Sequence, residues 1–515
     1  MDRLRAGEVG FDDDGSEGRS RSLGASLGYG FEHAFNEEER RWLALLHLFQ
    51  GFVDVDVLTW MGNPKRSWCL PEVRGLSRND AIALLDRAAE VGLLTRHGRG
   101  YYGIHPALPW FFRGLFQRFF GEAKEAALHA FVEAMGELGD YYHNQYGAGN
   151  RDVIGALRAE EANLLQARRL ARVHGWWDRV TSAMQGLREL YQHTGRRAEW
   201  RRLVGEIVPD FVDPKTEGPL PGREDQWSMV TEYRVRLARE ERKWVEAERL
   251  QHVCVDWDRQ HAAPVLELPR ASLDGSQRNT VRTLAVSLSQ MGDIRRELGR
   301  EDCVAPYEEA LELSESIGER SGAAVCAFNL GHAYKDLTAL RDLRQAEHWY
   351  RRGLELTDER DRMGRGGCLA QLGSVAFERF KEARERKHPE DELLRHLNEA
   401  VSFYHQALEH FPADAVDELA VAHNQLGEIY RTAADTDRAV VHYRDAIRYR
   451  EKQGNVYGAS NTRFNVALAL AQAGRLQDAL EYARAALRGF ESYGESAAGD
   501  IQKTRQVIEV IERGL

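Results

Sequence analysis

The chain has 515 residues, and its 70 lysines and arginines against 81 aspartates and glutamates give a formal net charge of −11. This length exceeds what a single hydrophobic core organises, so it predicts several domains or a repeat array. The negative charge disfavours general binding to nucleic acid or to anionic membranes, because phosphate affinity grows with the number of cationic side chains.

Cysteine, apolar and proline content narrow the class of protein further. The five cysteines include no Cys-x-x-Cys pair, which disfavours a disulfide framework and a structural zinc site. Neither a membrane-length apolar run nor an apolar signal core is present, so we expect a cytoplasmic protein. Only 13 prolines among abundant Glu, Arg, Ala and Leu predict an almost wholly helical chain.

The first part of the chain is a polar segment, and the sequence after it predicts helices. Residues 1–21 are polar, Gly-rich and charged in blocks, so we expect disorder there. Asn36-Glu-Glu-Glu39 predicts a capping box ahead of an amphipathic helix, and a short helix is expected at 54–61. Ser77, three residues before Asp80, predicts the cap of a further helix. Its inward-facing residues are expected to be Ile82, Leu85 and Ala89.

A β-hairpin is predicted directly after these helices. The stretch "GLLTRHGRGYYGIHP" alternates and carries turn residues at His97–Gly100, as a hairpin requires. Three helices followed by a hairpin is the order of a winged helix. We therefore predict a winged-helix domain over residues 22–112.

Residues 113–280 predict degenerate helical repeats, because helical segments alternate there with Gly-punctuated turns. Two proline-rich stretches, 208–225 and 261–277, are interpreted as ordered insertions or linkers.

Internal similarity is clearest over residues 281–495. "FNLGHAY", "AQLGSVA", "HNQLGEIY" and "FNVALAL" share an amide, then an aliphatic residue, then a small residue. Each is followed by a helix with a small residue, a ring or small residue four later, and another small residue three after that, as in Ala439, Tyr443 and Ala446. Small side chains at this spacing allow a paired helix to approach closely. The pattern resembles the tetratricopeptide repeat, and residues 496–515 are predicted to form a capping helix.

The order of domains carries a second resemblance. Residues 22–112 resemble the winged-helix domain of signal-transducing STAND ATPases of the NB-ARC type, in which a helical repeat sensor follows. In that family a Met-His-Asp motif ends the winged helix, and its histidine contacts bound nucleotide. Ile104-His105-Pro106 stands at that place, with proline instead of the acidic residue. The alternative is that His105 closes the hairpin by hydrogen bonding to neighbouring backbone.

The sequence lacks the parts needed for nucleotide chemistry. It contains no Gly-x-x-x-x-Gly-Lys-[Ser/Thr] and no Gly-Lys dipeptide, so we expect that this chain alone does not hydrolyse ATP. No nucleophile has a recognisable matched base, and we expect no catalytic residue, no metal site and no cofactor.

Polar residues on the repeat motifs are the candidate binding residues. In tetratricopeptide proteins similar positions line the concave groove and bind an extended peptide. The alternative is that these amides bridge neighbouring helices. The candidates are Asn329, Gln371, Asn424, Gln425, Glu428, Arg431 and Asn465.

These features predict an all-α fold: a tetratricopeptide-like solenoid preceded by a small winged-helix domain. The expected function is a non-enzymatic scaffold or sensor that binds a protein or peptide and regulates a separate effector. Fold-level analogy suggests a protease, ATPase or toxin in bacterial signalling or defence. The alternative is a transcription regulator that reads DNA through the winged helix. Against it, the predicted recognition helix is not basic, since it carries Asp80, Asp86 and Glu90 against two arginines.

Overall fold

The computed structural model describes residues 31–515, and the predicted disordered segment 1–21 lies outside them. The chain divides into two compact units, one ending at Leu237 and the other beginning at Ala238. Both are built almost entirely from helices. Within the described range, no helix combines the length and the apolar character that crossing a bilayer requires.

The first unit begins with a small mixed subdomain. Its sheet has the order β1-β3-β2 with antiparallel pairing, and Val53 lies opposite Tyr102. The β2-β3 pairing confirms the predicted hairpin. The elements in chain order are α1 (Glu37–Ala44), β1 (Phe52–Asp54), α2 (Val55–Met61), α3 (Arg78–Glu90), β2 (Leu94–Gly98) and β3 (Tyr101–Ile104).

Side-chain caps fix the starts of all three helices. The Asn36 side chain accepts from the Glu39 backbone N–H while the Glu39 carboxylate accepts from that of Asn36, which confirms the capping box. Asp54 caps α2, and Ser77 caps α3. Local sequence therefore determines where these helices begin, since each cap satisfies a backbone donor that the helix leaves free.

The buried face of α3 differs from the predicted one. Leu85 is buried as expected, but Ile82 and Ala89 are only half-buried. The buried positions follow the i, i+3, i+4, i+7 pattern one residue away from the predicted register. They are Ala81, Leu84, Leu85 and Ala88.

Longer helices complete the first unit. They are α4 (Pro109–Phe120), α5 (Lys124–Gly147), α6 (Val153–His174), α7 (Trp177–His193), α8 (Arg197–Phe211) and α9 (Glu224–Glu240), the last of which contains the unit boundary. Helix α8 includes Pro209 in its final turn, so the proline-rich interruption is shorter than predicted. A proline so close to a helix end removes one of the last backbone hydrogen bonds and leaves the preceding turns intact.

A buried polar cluster joins α6 to β1. The Asn163 Nδ2 donates to the Phe52 carbonyl (2.9 Å) and to the Glu160 carboxylate (2.6 Å), and the Asn163 Oδ1 accepts from the Gln50 backbone N–H. Glu160 is 1% exposed, and its Oε1 has no hydrogen-bond partner. Burial raises the pKa of Glu160 to about 8 and that of Asp54 to about 6. At neutral pH the Glu160 carboxyl therefore favours its protonated form, whereas Asp54 stays mostly ionised.

The second unit is an array of helix pairs. Its helices are α10 (Trp244–Leu266), α11 (Gly275–Glu297), α12 (Val304–Ser316), α13 (Arg320–Asp336), α14 (Leu343–Leu356), α15 (Arg362–Glu385), α16 (Glu390–His410), α17 (Val416–Thr432), α18 (Thr436–Lys452), α19 (Val456–Gln472), α20 (Leu476–Glu491) and α21 (Ala498–Gly514). Five hairpins, α11-α12 to α19-α20, follow one another, and α21 packs against α20. Helix α10 continues through Pro264, so the second predicted interruption is also shorter.

The close contact in each of the first four hairpins joins a glycine to a tyrosine ring. A Cβ built on the glycine would lie 2.6–2.8 Å from the ring of the partner helix, which is closer than atoms approach. Only glycine allows the ring to lie there. The pairs are Gly292 with Tyr307, Gly331 with Tyr350, Gly373 with Tyr404, and Gly427 with Tyr443.

The residue after each glycine binds the tyrosine hydroxyl. The Tyr307 hydroxyl donates to Asp293 (2.8 Å), and the Tyr443 hydroxyl donates to Glu428 (3.0 Å). His332 and Ser374 are hydrogen-bonded to the other two hydroxyls. A buried ring therefore keeps its polar group satisfied, as burial requires.

The fifth hairpin changes both members of the contact. Ala467 stands at the glycine position and Ala483 at the tyrosine position, and both are fully buried. With no ring to accommodate, the first helix can carry a methyl group. The two positions thus depend on each other.

We expect Gly427→Ala to destabilise the α17-α18 hairpin by about 1–3 kcal/mol, because the new methyl group overpacks against the Tyr443 ring. Tyr443→Ala alone should cost about 3–5 kcal/mol through the cavity it leaves. The double variant reproduces the alanine pair of the fifth hairpin, so its cost should be clearly less than the sum. Hydrogen exchange across residues 416–452 during urea unfolding measures the free energy of unfolding of this hairpin in each variant. Additive costs would contradict the coupling, and Gly205→Ala at an open, exposed helix position is the control.

A second prediction concerns pH. In the folded state the Glu160 carboxyl keeps its proton up to about pH 8, whereas in the unfolded chain it ionises near its ordinary value of 4.5. Unfolding therefore releases a proton, and the free energy of unfolding falls as pH rises between these values, by about 1.4 kcal/mol per unit at most. Glu160→Gln removes this pH dependence. The free energy of unfolding of the variant, relative to that of the unsubstituted protein, should therefore increase from pH 5 to pH 8. Thermal unfolding at both pH values measures it, with exposed Glu122→Gln as control. An equal difference at both pH values would contradict the prediction.

Candidate functional site

His105 lies on the surface just after β3. Its ring Nδ1 accepts from the Ala107 backbone N–H (3.3 Å), and its own backbone N–H donates to the Leu93 carbonyl (3.3 Å). The Leu108 N–H donates in turn to the His105 carbonyl (2.9 Å). These bonds are those expected if His105 closes the hairpin, and a nucleotide contact at this residue stays a prediction.

The predicted amide positions all lie on the first helices of their hairpins and are half-buried. The Asn329 Nδ2 donates to Asp293 on the preceding first helix (3.1 Å), and the Gln371 Oε1 accepts from the Lys335 ammonium (2.7 Å). Both bonds connect successive hairpins. In the described chain no hydrogen bond engages the side chains of Gln425 or Asn465. Asn329 and Gln371 therefore act, at least in part, as bridges between helices.

The other candidates lie near the C-terminal end of α17 or on its middle turn. Glu428 pairs with Arg431 (2.9 Å) and accepts from the Tyr443 hydroxyl, and Arg431 donates to Gln472 (3.1 Å). Asn424 accepts from the Thr462 hydroxyl (3.2 Å). Glu428 and Arg431 line a polar cleft of about 310 Å³. The structure thus brings these two residues together, and Arg431 also bonds to the next hairpin through Gln472.

A larger cavity, which we call the inner groove, lies across α13, α15 and α17 and was not predicted. Its volume is about 840 Å³. These are the first helices of three consecutive hairpins. Its principal apolar wall and floor residues are Val325, Phe328, Gly367, Ala370 and Val421, and Gln371 also contributes to it.

Missing side chains in the central hairpin create the inner groove. Val325, Gly367 and Val421 all stand six residues before the motif glycine of their hairpins. Val325 is 53% exposed and Val421 50%, so two valines flank a position that has no side chain. Three residues before the glycine, the central hairpin has Ala370 where the preceding one has Phe328. The sequence signal was therefore present, as small residues at two groove-facing positions of one repeat.

Acidic residues surround this apolar floor. Glu319 is neutralised by Arg282 (2.6 Å), but no ion pair within the described residues involves the other four carboxylates. The groove's one cationic residue in the described chain, Arg320, donates to the Glu355 carbonyl (2.7 Å). The four carboxylates without an ion pair are Asp358, Asp361, Asp417 and Glu418.

The groove offers little for covalent or metal chemistry. Burial raises the pKa of the Cys368 thiol in its wall to about 11, and the same holds for Cys326 on α13. A thiol with so high a pKa is a poor nucleophile at neutral pH. Among the described residues, no group of three or more His, Cys, Asp or Glu side chains is placed to hold a metal ion.

A family comparison identifies the repeat. Residues 420–453 match the tetratricopeptide repeat. The match spans most of the α17-α18 hairpin, including the Gly427–Tyr443 contact. The second unit is a tetratricopeptide-like solenoid, which confirms the predicted all-α class.

One solved structure supports the fold. The chain is similar to the Signal Transduction ATPase with Numerous Domains (STAND) protein with a tetratricopeptide repeat sensor from Pyrococcus horikoshii, at 13% identity and a TM-score of 0.53. The similarity covers 98% of this chain and 67% of that one. The apo quorum sensor NprR from B. thuringiensis matches at 14% identity over 64% of this chain and 80% of that one, with a TM-score of 0.37. No curated protein matches significantly.

We expect His105→Ala to leave the melting temperature nearly unchanged, with a stability change within about 0.5 kcal/mol, because the side chain is exposed and makes one long hydrogen bond. Differential scanning calorimetry of the full chain measures this. A loss of several degrees would show that the ring has a larger structural role than its contacts indicate. If the partner proposed below is recovered, its affinity for this variant tests any coupling role separately.

Proposed function

We propose that the protein is a non-enzymatic scaffold or sensor whose tetratricopeptide array binds a segment of a protein partner. The observation that carries this proposal is the inner groove, an apolar recess across three consecutive first helices with a rim of carboxylates that have no ion pair. Soluble proteins rarely keep such apolar surface open unless something covers it. The valines beside the recess add to this surface, and Val286 occupies the equivalent position one hairpin earlier.

Regulation of a separate effector is the second part of the proposal. The similarity to the STAND protein with a tetratricopeptide sensor supports it at the level of fold. These 515 residues contain no phosphate-binding loop, so a nucleotide-dependent activity would lie outside them. An ATPase, a protease or a toxin in bacterial signalling or defence remains the proposed effector class.

We also propose that residues 22–112 form a winged helix, supported by the three helices and the β1-β3-β2 order over their described part. This arrangement also favours the alternative of a DNA-reading regulator. Two arginines of that surface, however, are already paired with carboxylates. Arg78 lies 2.7 Å from Asp56, and Arg96 lies 2.7 Å from Asp86. Such pairing lowers the positive potential that a phosphate backbone requires.

Differential capture tests the scaffold function. The full chain, immobilised and exposed to cytoplasm of its source, should recover a protein in stoichiometric amount. Gly367→Leu should lose that protein, because a side chain at this position fills the inner groove. The fold should tolerate the change, since a Cβ there approaches no atom more closely than 4.0 Å, at the Phe328 ring.

Gly205→Leu is the matched control, because it places the same side chain at an exposed helical glycine of α8. It should retain the partner. Equal recovery by both variants would place binding outside the groove. Retention of specific DNA at physiological salt, with no protein partner, would favour the transcription regulator instead.

A further inference from the structure

We propose that the inner groove selects a cationic, extended peptide segment with a bulky apolar anchor residue. The anchor occupies the recess at Gly367, and lysine or arginine side chains of the same segment lie along the acidic rim. This inference rests on the proposed function and adds the chemistry of the partner.

The shape of the recess requires an apolar anchor. Its floor is the bare backbone of Gly367 and the methyl group of Ala370, and its sides are Val325, Phe328 and Val421. A volume of about 840 Å³ lies within the range of pockets that bury a ligand, so it accommodates one large side chain with its neighbours. An aliphatic or aromatic side chain removes this surface from water, whereas a polar one would be desolvated without a partner.

The rim determines the sign of the flanking residues. Asp417 and Glu418 lie in the first turn of α17, and Asp358 and Asp361 lie just before α15. Arg362 and Arg365 donate to the carbonyls of Glu409 and Leu354 rather than to these carboxylates, although both keep their positive charge. Arg450 lies near enough to Asp417 to interact with its charge. An anionic segment would meet these carboxylates at close range, whereas a cationic one is attracted to them.

A polypeptide fits better than a compact small molecule. The groove runs over three helices, and its carboxylates without an ion pair lie at the N-terminal ends of two of them, α15 and α17. The Gln371 side chain contacts the main chain of the peptide. Its Oε1 accepts a hydrogen bond from Lys335, and its Nε2 makes no hydrogen bond in the described chain. That amide is a donor for a peptide carbonyl, as extended segments require at regular intervals.

A display selection identifies the preferred chemistry without a known partner. A library of random dodecapeptides is selected on the immobilised full chain and depleted on Gly367→Leu, so only peptides that need the open recess survive. We expect a consensus with one Leu, Met, Phe or Trp flanked by Lys or Arg. An acidic or polar consensus would overturn this inference while leaving a groove-binding scaffold intact. If no recess-dependent peptide is enriched, the inference is wrong, and capture of the native partner then decides the proposed function separately.

Affinities of the best peptide, measured by fluorescence anisotropy, give the second readout. Gly367→Leu should weaken binding about tenfold or more, since it removes the anchor pocket. The double variant Asp417→Asn with Glu418→Gln should weaken it about threefold and reduce its salt dependence, as exposed charges do. The matched control is Glu390→Gln with Asp391→Asn, two exposed acids in the first turn of α16 outside the groove. An equal effect of both double variants would overturn the role of the rim.

Discussion

The glycine–tyrosine contact determines how closely the two helices of a hairpin approach. A ring packs against bare backbone, and its hydroxyl binds the residue next to the glycine, so one short segment supplies both the space and the hydrogen bond. Because four successive hairpins repeat this contact, their first helices stand in equivalent positions. The groove forms because those helices present the same face. Its geometry therefore depends on the glycine–tyrosine contacts, which lie outside the groove.

Sequence reasoning succeeded where close packing restricts residue type. The motif glycines, the tyrosines that face them and the small residues on either side of each tyrosine tolerate few alternatives, so the helix pairs of the second unit are visible in the sequence. The caps at Asn36 and Ser77 and the hairpin at β2-β3 were predictable for a similar reason, since each satisfies specific backbone groups. The face of α3 was missed by one residue because its amphipathic pattern is compatible with two adjacent registers.

The inner groove was missed because it is made by absent side chains. Most of the predicted binding residues are amides, and two of them, Asn329 and Gln371, link neighbouring hairpins. A recess gives no motif of its own, since Gly367 and Ala370 are unremarkable until their counterparts in the flanking repeats are compared. Pro209 and Pro264 each lie near the C-terminal end of a helix, where a proline is tolerated, whereas a helix interior excludes it. The prolines alone therefore did not show where these helices end. The role of His105 was left between two alternatives because sequence does not show which backbone groups surround it.

The buried carboxyls of the first unit have a different physical character. Asn163 satisfies two backbone groups of the β1 region and one oxygen of Glu160, while the second oxygen stays without a partner. Such a cluster contributes little net stability, since burying a carboxyl offsets what its hydrogen bonds provide. What it supplies is register, because Asn163 on α6 fits only one position along β1.

Val325, Gly367 and Val421 shape the inner groove but take no part in the contacts that hold the hairpins together. None of the three lies in a hairpin contact, and a valine at 367 would make the row continuous without touching the glycine–tyrosine pairs. A single-nucleotide change in a glycine codon produces valine. One nucleotide change could therefore close or reopen the recess at little cost to the solenoid, so the proposed binding surface can change without the fold changing.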